Sequence, residues 1–305
     1  TAGATEALAA AILALIEPGD EVVLFEPLYD SYLPMVRRAG GVPRLVRLSP
    51  PDWALPRAQV EAAFSDRTKL VILNSPMNPA AKVFGDDELS FLAGLIERFD
   101  AYALCDEVYE HLVFAPHVHR PLMSFPAMSD RCLRVGSAGK TLSLTGWKVG
   151  YLIAAPQLLV PVIKAHQFLL FTVPPNLQTA VAYGLEKEDA FFEDLITGMG
   201  EKRDRLAAGL EKIGFSLLPS QGSYFLNVDI RPLVRRLGLD LDDIGFCRLL
   251  AEKARVSAIP VSAFYGGAEV QAGGDMPDYL VRFCFAKTDG RIDEGIARMA
   301  ACFGD

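Results

Sequence analysis

Cysteine is scarce in this chain of 305 residues. Its five cysteines, Cys105, Cys132, Cys247, Cys284 and Cys302, are odd in number, widely scattered and never arranged as CxxC. This excludes a disulfide framework or a zinc knuckle and points to reduced, mostly buried thiols in a cytoplasm. Positive charge is also in deficit. Against 38 Asp and Glu stand 30 Lys and Arg, for a net charge of -8, so no broad electrostatic grip on nucleic acid or on an anionic membrane is expected and a small-molecule partner is favoured. Long hydrophobic runs are missing too, despite a mean hydropathy of +0.23. The most apolar stretch, 151–175, is broken by Pro156, Gln157, Pro161, Lys164, His166 and Gln167, and a membrane span needs ~18 apolar residues without such breaks. The opening TAGATEALAA has no basic segment ahead of an apolar one, so no signal peptide is expected in it. It also lacks an initiator Met, and the natural N-terminus is expected to lie upstream. No internal repeat or low-complexity tract is visible.

What is present is the composition of a folded enzyme, 51% hydrophobic and 22% charged. The length suits one large α/β domain or two domains. Apolar runs alternate with helical patterns through the first half. Helices are predicted over 4–16, 30–39, 56–64 and 86–98, and strands over 21–27, 42–47, 69–74, 101–107, 131–136 and 149–155. Such alternation predicts a mostly parallel sheet with helices on both faces. From Pro174 the texture changes to long helices over 174–186 and 189–212. Strands over 215–218, 223–229 and 279–285 and helices over 242–254 and 288–301 then suggest a smaller α+β unit. A boundary near Glu186–Glu188 divides a large domain, 1–187, from a small one, 188–305. The glycines from Gly266-Gly267 to Gly273-Gly274 bracket an expected mobile loop.

Several short segments carry chemistry. In SAGKTLSLTGWK (137–148), Lys140 lies among small residues that let a planar ligand approach the backbone; a generic lysine there would be an exposed turn residue. The strand ending in Asp106-Glu107-Val108-Tyr109 places an acid at the carboxyl edge of a parallel sheet, where open α/β sheets bind ligands; alone, Asp106 would read as a helix N-cap. Asn74-Ser75-Pro76-Met77-Asn78-Pro79 sets two amides in a proline-stiffened turn, a common feature on its own. Gly3-Ala4-Thr5 precedes a helix whose first amides and positive dipole end form a seat for phosphate, or simply an ordinary helix start. Asp86-Asp87-Glu88 reads as helix N-terminal charge. His117 and His119 fall in a Pro-bounded stretch read as a surface loop, with no companion carboxylates, so no metal site is expected. Glu107 beside Asp106 does not make a glycosidase pair, because neighbours on a strand face opposite ways.

Taken together, GATEAL, EPLYDSY, NSPMNPAAKVF, CDEVYEHL, SAGKTLSLTGWKVGY and YLVRFCFAK, in order and nearly from end to end, resemble the fold type I pyridoxal-phosphate enzymes, specifically the class I aminotransferases near the kynurenine and methionine aminotransferases. The resemblance implies pyridoxal 5'-phosphate as cofactor, Lys140 as its Schiff-base lysine and general base, and Asp106 as the acid at the pyridinium nitrogen. Asn78 and Tyr109 are implied at the cofactor's phenolic oxygen and Tyr29 stacked on its ring, whereas Tyr32 reads as a core aromatic. Ala4, Thr5, Ser137 and Lys148, the last eight residues after Lys140, are implied as the phosphate cup. Arg282, set in an apolar strand, needs a partner; the resemblance supplies the substrate's α-carboxylate, with Asn74 beside it.

The implied activity is transfer of an amino group from an apolar, aromatic or sulfur-containing amino acid to a 2-oxo acid, by a homodimer with shared active sites. Aspartate-selective relatives use an arginine of the partner subunit from the region after the lysine. Here 160–182 has no arginine but offers Phe168 and Phe171, and Phe171 is taken as substrate-binding. Alternatives with the same cofactor machinery are a cysteine-conjugate β-lyase and an aminocyclopropane-carboxylate synthase. Another is the ligand-sensing domain of a transcription regulator, although nothing here resembles a helix-turn-helix. Two departures stand out. Ala80-Ala81 replaces the family's usual Thr-Gly, and the family's N-terminal arm has no counterpart, so the large domain is expected to be incomplete.

Overall fold

The structure is a computed structural model that describes residues 1–266 and 276–304. The segment expected to be a mobile loop lies almost wholly outside the described residues. The first half alternates as anticipated: α1 (Ala4–Leu15), β1 (Glu21–Glu26), α2 (Tyr32–Arg38), β2 (Val42–Arg47), α3 (Arg57–Ala63), β3 (Thr68–Asn74), α4 (Asp86–Arg98), β4 (Tyr102–Asp106), β5 (Cys132–Ser137), the short α5 (Ala138–Thr141) and β6 (Gly150–Ala154). These strands form one sheet in the order β2-β1-β3-β4-β5-β6. All its pairings are parallel except that of β6, which runs antiparallel to β5 at the edge.

Side-chain alternation explains why this sheet is covered twice. Val23, Phe25, Val71, Leu73, Ala103 and Cys105 point to one face, against Val60 of α3 and Leu89, Leu92 and Ile96 of α4. Val22, Leu24, Leu70, Ile72, Leu104 and Leu133 point to the other, against Leu8 and Ile12 of α1, Val36 of α2 and Val162 from later in the chain. Strands buried on both faces read as near-continuous apolar runs; β1 is buried along its whole length, and the glutamates at its two ends, Glu21 and Glu26, are paired with arginines. A sheet in which β1 lies between β2 and β3 reverses strand order there, and such crevices outside the carboxyl ends of the strands are where ligands bind.

The rest of the chain builds α6 (Pro156–Leu169), α7 (Pro175–Leu185), α8 (Asp189–Ile213), β7 (Ser216–Leu217), β8 (Phe225–Asp229), α9 (Arg231–Arg236), α10 (Asp243–Leu249), β9 (Ile259–Pro260), β10 (Leu280–Cys284) and α11 (Asp289–Phe303). A second, antiparallel sheet has the order β7-β8-β10-β9. Its core joins Leu226, Val228, Val281 and Phe283 to Leu210 of α8, Phe246 of α10 and Met299 of α11. The expected division at 187/188 falls in the turn between α7 and α8. The helix expected over 242–254 is α10 continued by a π-helical turn, Leu250–Ala254. No described helix is long and apolar enough to cross a membrane.

The stretch around His117 is an exposed loop as expected, but the His119 side chain turns inward from it and does have a companion carboxylate, with Nε2 3.1 Å from Glu107 Oε2, and Glu107 also accepts from Arg134. Buried carboxylates require such partners. Asp86, Asp87 and Glu88 do open α4, where Glu88 accepts the Gly85 amide at 3.1 Å and so satisfies one of the amides left bare at a helix start.

Candidate active site

The carboxyl ends of β3, β4 and β5 deliver Asn74, Asp106 and Ser137 to one edge of the large sheet. β6 brings the start of α1 to the same edge. Thr1 and Gly150 exchange two backbone hydrogen bonds of 2.9 Å, and Gly150 is so close to α1 that a Cβ on it would lie 2.5 Å from the Gly3 carbonyl carbon and 2.7 Å from the Ala4 nitrogen. Gly3, at φ 79, turns the chain into the helix without a side-chain cap. The amides of the first turn therefore remain available, with the positive end of the helix dipole behind them. They border a cavity of ≈ 380 Å³ lined by Ala4, Thr5, Tyr29, Asn74, Asn78, Asp106, Tyr109, Ser137, Lys140, Lys148 and Arg282, with Tyr224 and Phe225 from the small sheet.

Lys140 projects from α5, the single turn that follows β5. Its Nζ donates to the Tyr224 hydroxyl at 2.7 Å and lies 5.8 Å and 5.4 Å from the ring centroids of Tyr109 and Tyr224. Asp106 is buried at the end of β4. Burial pushes its carboxyl from an ordinary value of 3.8 up to about 6, against donation from Tyr32 and the Val108 amide and the charge of Lys140. The Tyr32 hydroxyl donates to Asp106 Oδ2 at 2.5 Å.

Arg282, on β10, is a half-buried cation with no carboxylate in ion-pair range among the described residues. Its guanidinium lies 3.9 Å from the Phe225 centroid and 4.6 Å from that of Phe264, a cation–π cage. One terminal nitrogen donates to Asn78 Oδ1, and its Nε has no partner. Burial draws its pKa below the ordinary guanidinium value. Asn78, not Asn74, is therefore the amide beside Arg282. Asn74 is spent on the backbone: its Nδ2 donates to the Asp106 carbonyl at 2.8 Å and its Oδ1 accepts the Asn78 amide at 2.7 Å. It fixes the turn that presents Asn78.

The structure thus brings together Ala4, Thr5, Tyr29, Asn74, Asn78, Asp106, Tyr109, Ser137, Lys140, Lys148 and Arg282 around one cavity. Phe171 does not join them. It is 69% exposed and Phe168 is 95% exposed, both on the outer surface of this chain. Sequence reasoning missed Tyr224; Tyr32 is the core aromatic expected, but its bond to Asp106 was not foreseen. Each phenol meets its partner across a long separation in sequence, 84 residues for Tyr224 and 74 for Tyr32, so no local pattern announces them. The residues present fit pyridoxal phosphate: a buried carboxylate suits a pyridinium N–H, a lysine amine suits an aldehyde, bare helix amides suit a phosphate, and the orphaned Arg282 Nε suits a substrate carboxylate.

Comparison with known proteins agrees with this geometry. The family described as Aminotransferase class I and II matches residues 1–299. A probable N-succinyldiaminopimelate aminotransferase of Mycobacterium tuberculosis is 43% identical over 304 residues, covering 98% of this chain and 75% of that protein. The methionine aminotransferase of Escherichia coli is 38% identical over 292 residues, covering 96% and 72%. Kynurenine–oxoglutarate transaminase 3 of Rattus norvegicus is 36% identical over 320 residues, covering 96% and 68%. A solved structure of the N-succinyldiaminopimelate aminotransferase from Mycobacterium tuberculosis superposes with a TM-score of 0.92 over 99% of this chain and 76% of that one.

Proposed function

The chain belongs to the class I and II aminotransferases, pyridoxal-phosphate enzymes of fold type I, and from that premise we propose that it takes the amino group of an apolar, aromatic or sulfur-containing amino acid and passes it to a 2-oxo acid. The observation that carries this reading is the convergence on one cavity of Lys140, Asp106 and a half-buried Arg282 that has no carboxylate partner among the described residues. When bound, pyridoxal phosphate supplies an electron sink that makes the proton on the substrate's Cα removable.

The protein's own groups divide the remaining work. The amides of Ala4 and Thr5, with Ser137 and Lys148, would hold the phosphate, and Tyr29 would cover the ring. The Asp106 carboxylate would favour a protonated ring nitrogen, and Tyr109 and Asn78 would serve the phenolic oxygen. Arg282, with Asn78 beside it, binds the substrate's α-carboxylate and thereby orients Cα. Lys140 Nζ, lining the cavity, would take the proton from the substrate's Cα and later give it back, as a single mobile amine can. Its contact with Tyr224 keeps that amine on the site side of α5.

Selectivity for an apolar side chain is supported by Phe225, Tyr109 and Tyr224 in the cavity wall and by the absence of any arginine in 160–182. Val160, Ile163, Phe168, Phe171 and Tyr183, on α6, α7 and the link between them, are all exposed. Isolated exposed apolar residues are ordinary, but so many in one short stretch of chain fit an interface, and we assign it to a second copy of the chain, making a homodimer in which Phe168 and Phe171 serve the other copy's site. The free thiols of Cys105 and Cys132 fit a cytoplasmic location.

The test is kcat/KM for methionine, phenylalanine, kynurenine, glutamine and aspartate with one shared 2-oxo acid. Apolar and aromatic donors are expected to exceed aspartate by about 10-fold or more, since a second carboxylate would have no bidentate partner. Aspartate as the best donor would overturn the substrate assignment.

A further inference from the structure

Tyr32 is the first residue of α2, in the segment that follows β1. Its ring packs in the core on the α1–α2 side of the sheet, and its hydroxyl reaches Asp106 at the sheet edge. It is buried to 3% exposure, and its hydroxyl has one hydrogen-bond partner, Asp106 Oδ2, at 2.5 Å. Tyr29, one turn earlier, braces the ring edge-on with centroids 5.5 Å apart. The other oxygen of Asp106 receives a long, weak bond from the Val108 amide, 3.4 Å. Tyr32 is therefore the strong donor to this carboxylate within the protein.

The surroundings make that donation matter. Asp106 faces Tyr32 from α2, the Val108 amide and Glu107 from its own strand end, Tyr109 from the following turn and Lys140 from α5. Burial works against its charge, and so does Glu107. Tyr32 is itself held far above an ordinary phenol by burial and by the neighbouring carboxylate, so it keeps its proton and acts purely as a donor. A hydrogen bond given to the ionised form of an acid stabilises that form.

We propose that Tyr32 is a positioning residue for the reaction: by donating to Asp106 Oδ2 it holds that carboxylate ionised and aimed, so that the proton shared with the cofactor's ring nitrogen stays on the nitrogen. The proposal rests on the reading of Asp106 as the partner of that nitrogen. Tyr32 touches neither cofactor nor substrate and acts through Asp106 alone. Removing the hydroxyl leaves the carboxylate more basic, and the shared proton moves from nitrogen to oxygen. The cofactor then withdraws electrons less strongly.

The experiment loads the protein with pyridoxal phosphate labelled with ¹⁵N in the ring and reads the nitrogen's chemical shift. In Tyr32→Phe, which keeps the ring and its packing, the signal is expected to move toward the unprotonated position. kcat should fall by about 10-fold to 100-fold while KM stays within about twofold, the size of one charge-assisted hydrogen bond. Replacing Tyr32 with 3-fluorotyrosine, a stronger donor of nearly the same shape, should shift the signal the opposite way and serves where Tyr32→Phe folds poorly. Tyr32→Phe with an unmoved signal, or fluorotyrosine with no opposite shift, overturns the proposal. Asp106→Asn, measured alongside, separates the two assumptions. If its signal is also unmoved, the reading of Asp106 fails; if it moves while both Tyr32 variants stay still, Tyr32 is a packing residue only.

Discussion

Asp106 shows how a functional carboxylate costs stability before any ligand arrives. Its native pKa of about 6 exceeds the ordinary 3.8, so between those values the folded chain binds more protons than the unfolded one. Stability therefore falls as pH rises through this window, and the loss persists above pH 6. For the fully buried group it is on the order of 3 kcal/mol. Asp106→Asn removes the charge while leaving an oxygen for Tyr32. Urea denaturation of the cofactor-free protein should find the variant more stable than the parent by about 1–3 kcal/mol at pH 8, with the advantage fading as pH drops below 6. An advantage that is independent of pH would show that Asp106 is not the titrating group. Lys140 was legible in sequence because it sits in a run of small residues after a strand, and Asp106 because it is an acid closing an apolar strand. Tyr32 and Tyr224 were not, because a phenol on an apolar element looks like core until its distant partner is known. Asn74 and Asn78 were both visible, and their division of labour was not: which amide serves the backbone is decided by the register of β3 against β4, where Asn74 lies opposite Asp106.

Among the elements, the buried strands were easiest to read, since a strand covered on both faces is apolar along its length and stands out between turn signals. α6 was harder. Its apolar run carries Pro156 and Pro161, yet Pro156 takes the first helical position, where no amide is needed, and Pro161 is accommodated within the helix. The sequence excluded a membrane span there without announcing a helix. α9 is too short, at six residues, to show a period. What no periodicity conveys is the approach of α1 to β6 that builds the phosphate seat. Gly150→Ala tests it. A Cβ 2.5 Å from the Gly3 backbone must push the helix start away from Ser137 and Lys148, and backbone cannot give way as a flexible side chain does. Overpacking of this kind costs about 1–3 kcal/mol. We expect a lower melting temperature and pyridoxal-phosphate binding weakened by about 10-fold, read by titration of the cofactor's absorbance. Wild-type affinity in a folded Gly150→Ala protein would place the phosphate elsewhere.

For the whole molecule, the acidic surface and the exposed apolar residues on α6 and α7 divide the exterior by purpose. A net charge of -8 keeps unrelated molecules apart, whereas Val160, Ile163, Phe168 and Phe171 offer an exposed apolar surface suited to one matching face. If two copies pair through that surface and lend Phe168 and Phe171 to each other's sites, residues needed for a single turnover come from different chains, and mixed dimers can show it. Lys140→Ala lacks the amine but has that surface intact, and Phe171→Asp has the amine but spoils its partner's pocket by placing a charge against an apolar substrate. Each variant alone should be inactive or nearly so. Coexpressed, they form mixed dimers in which the Lys140 of one chain works beside the Phe171 of the other, and about half of one dimer's activity per mixed dimer should return. Sedimentation checks that the mixed species form. Restoration is expected if the site is shared across the pair; mixed dimers that remain inactive would show that Phe171 serves the site of its own chain and overturn the shared-site reading.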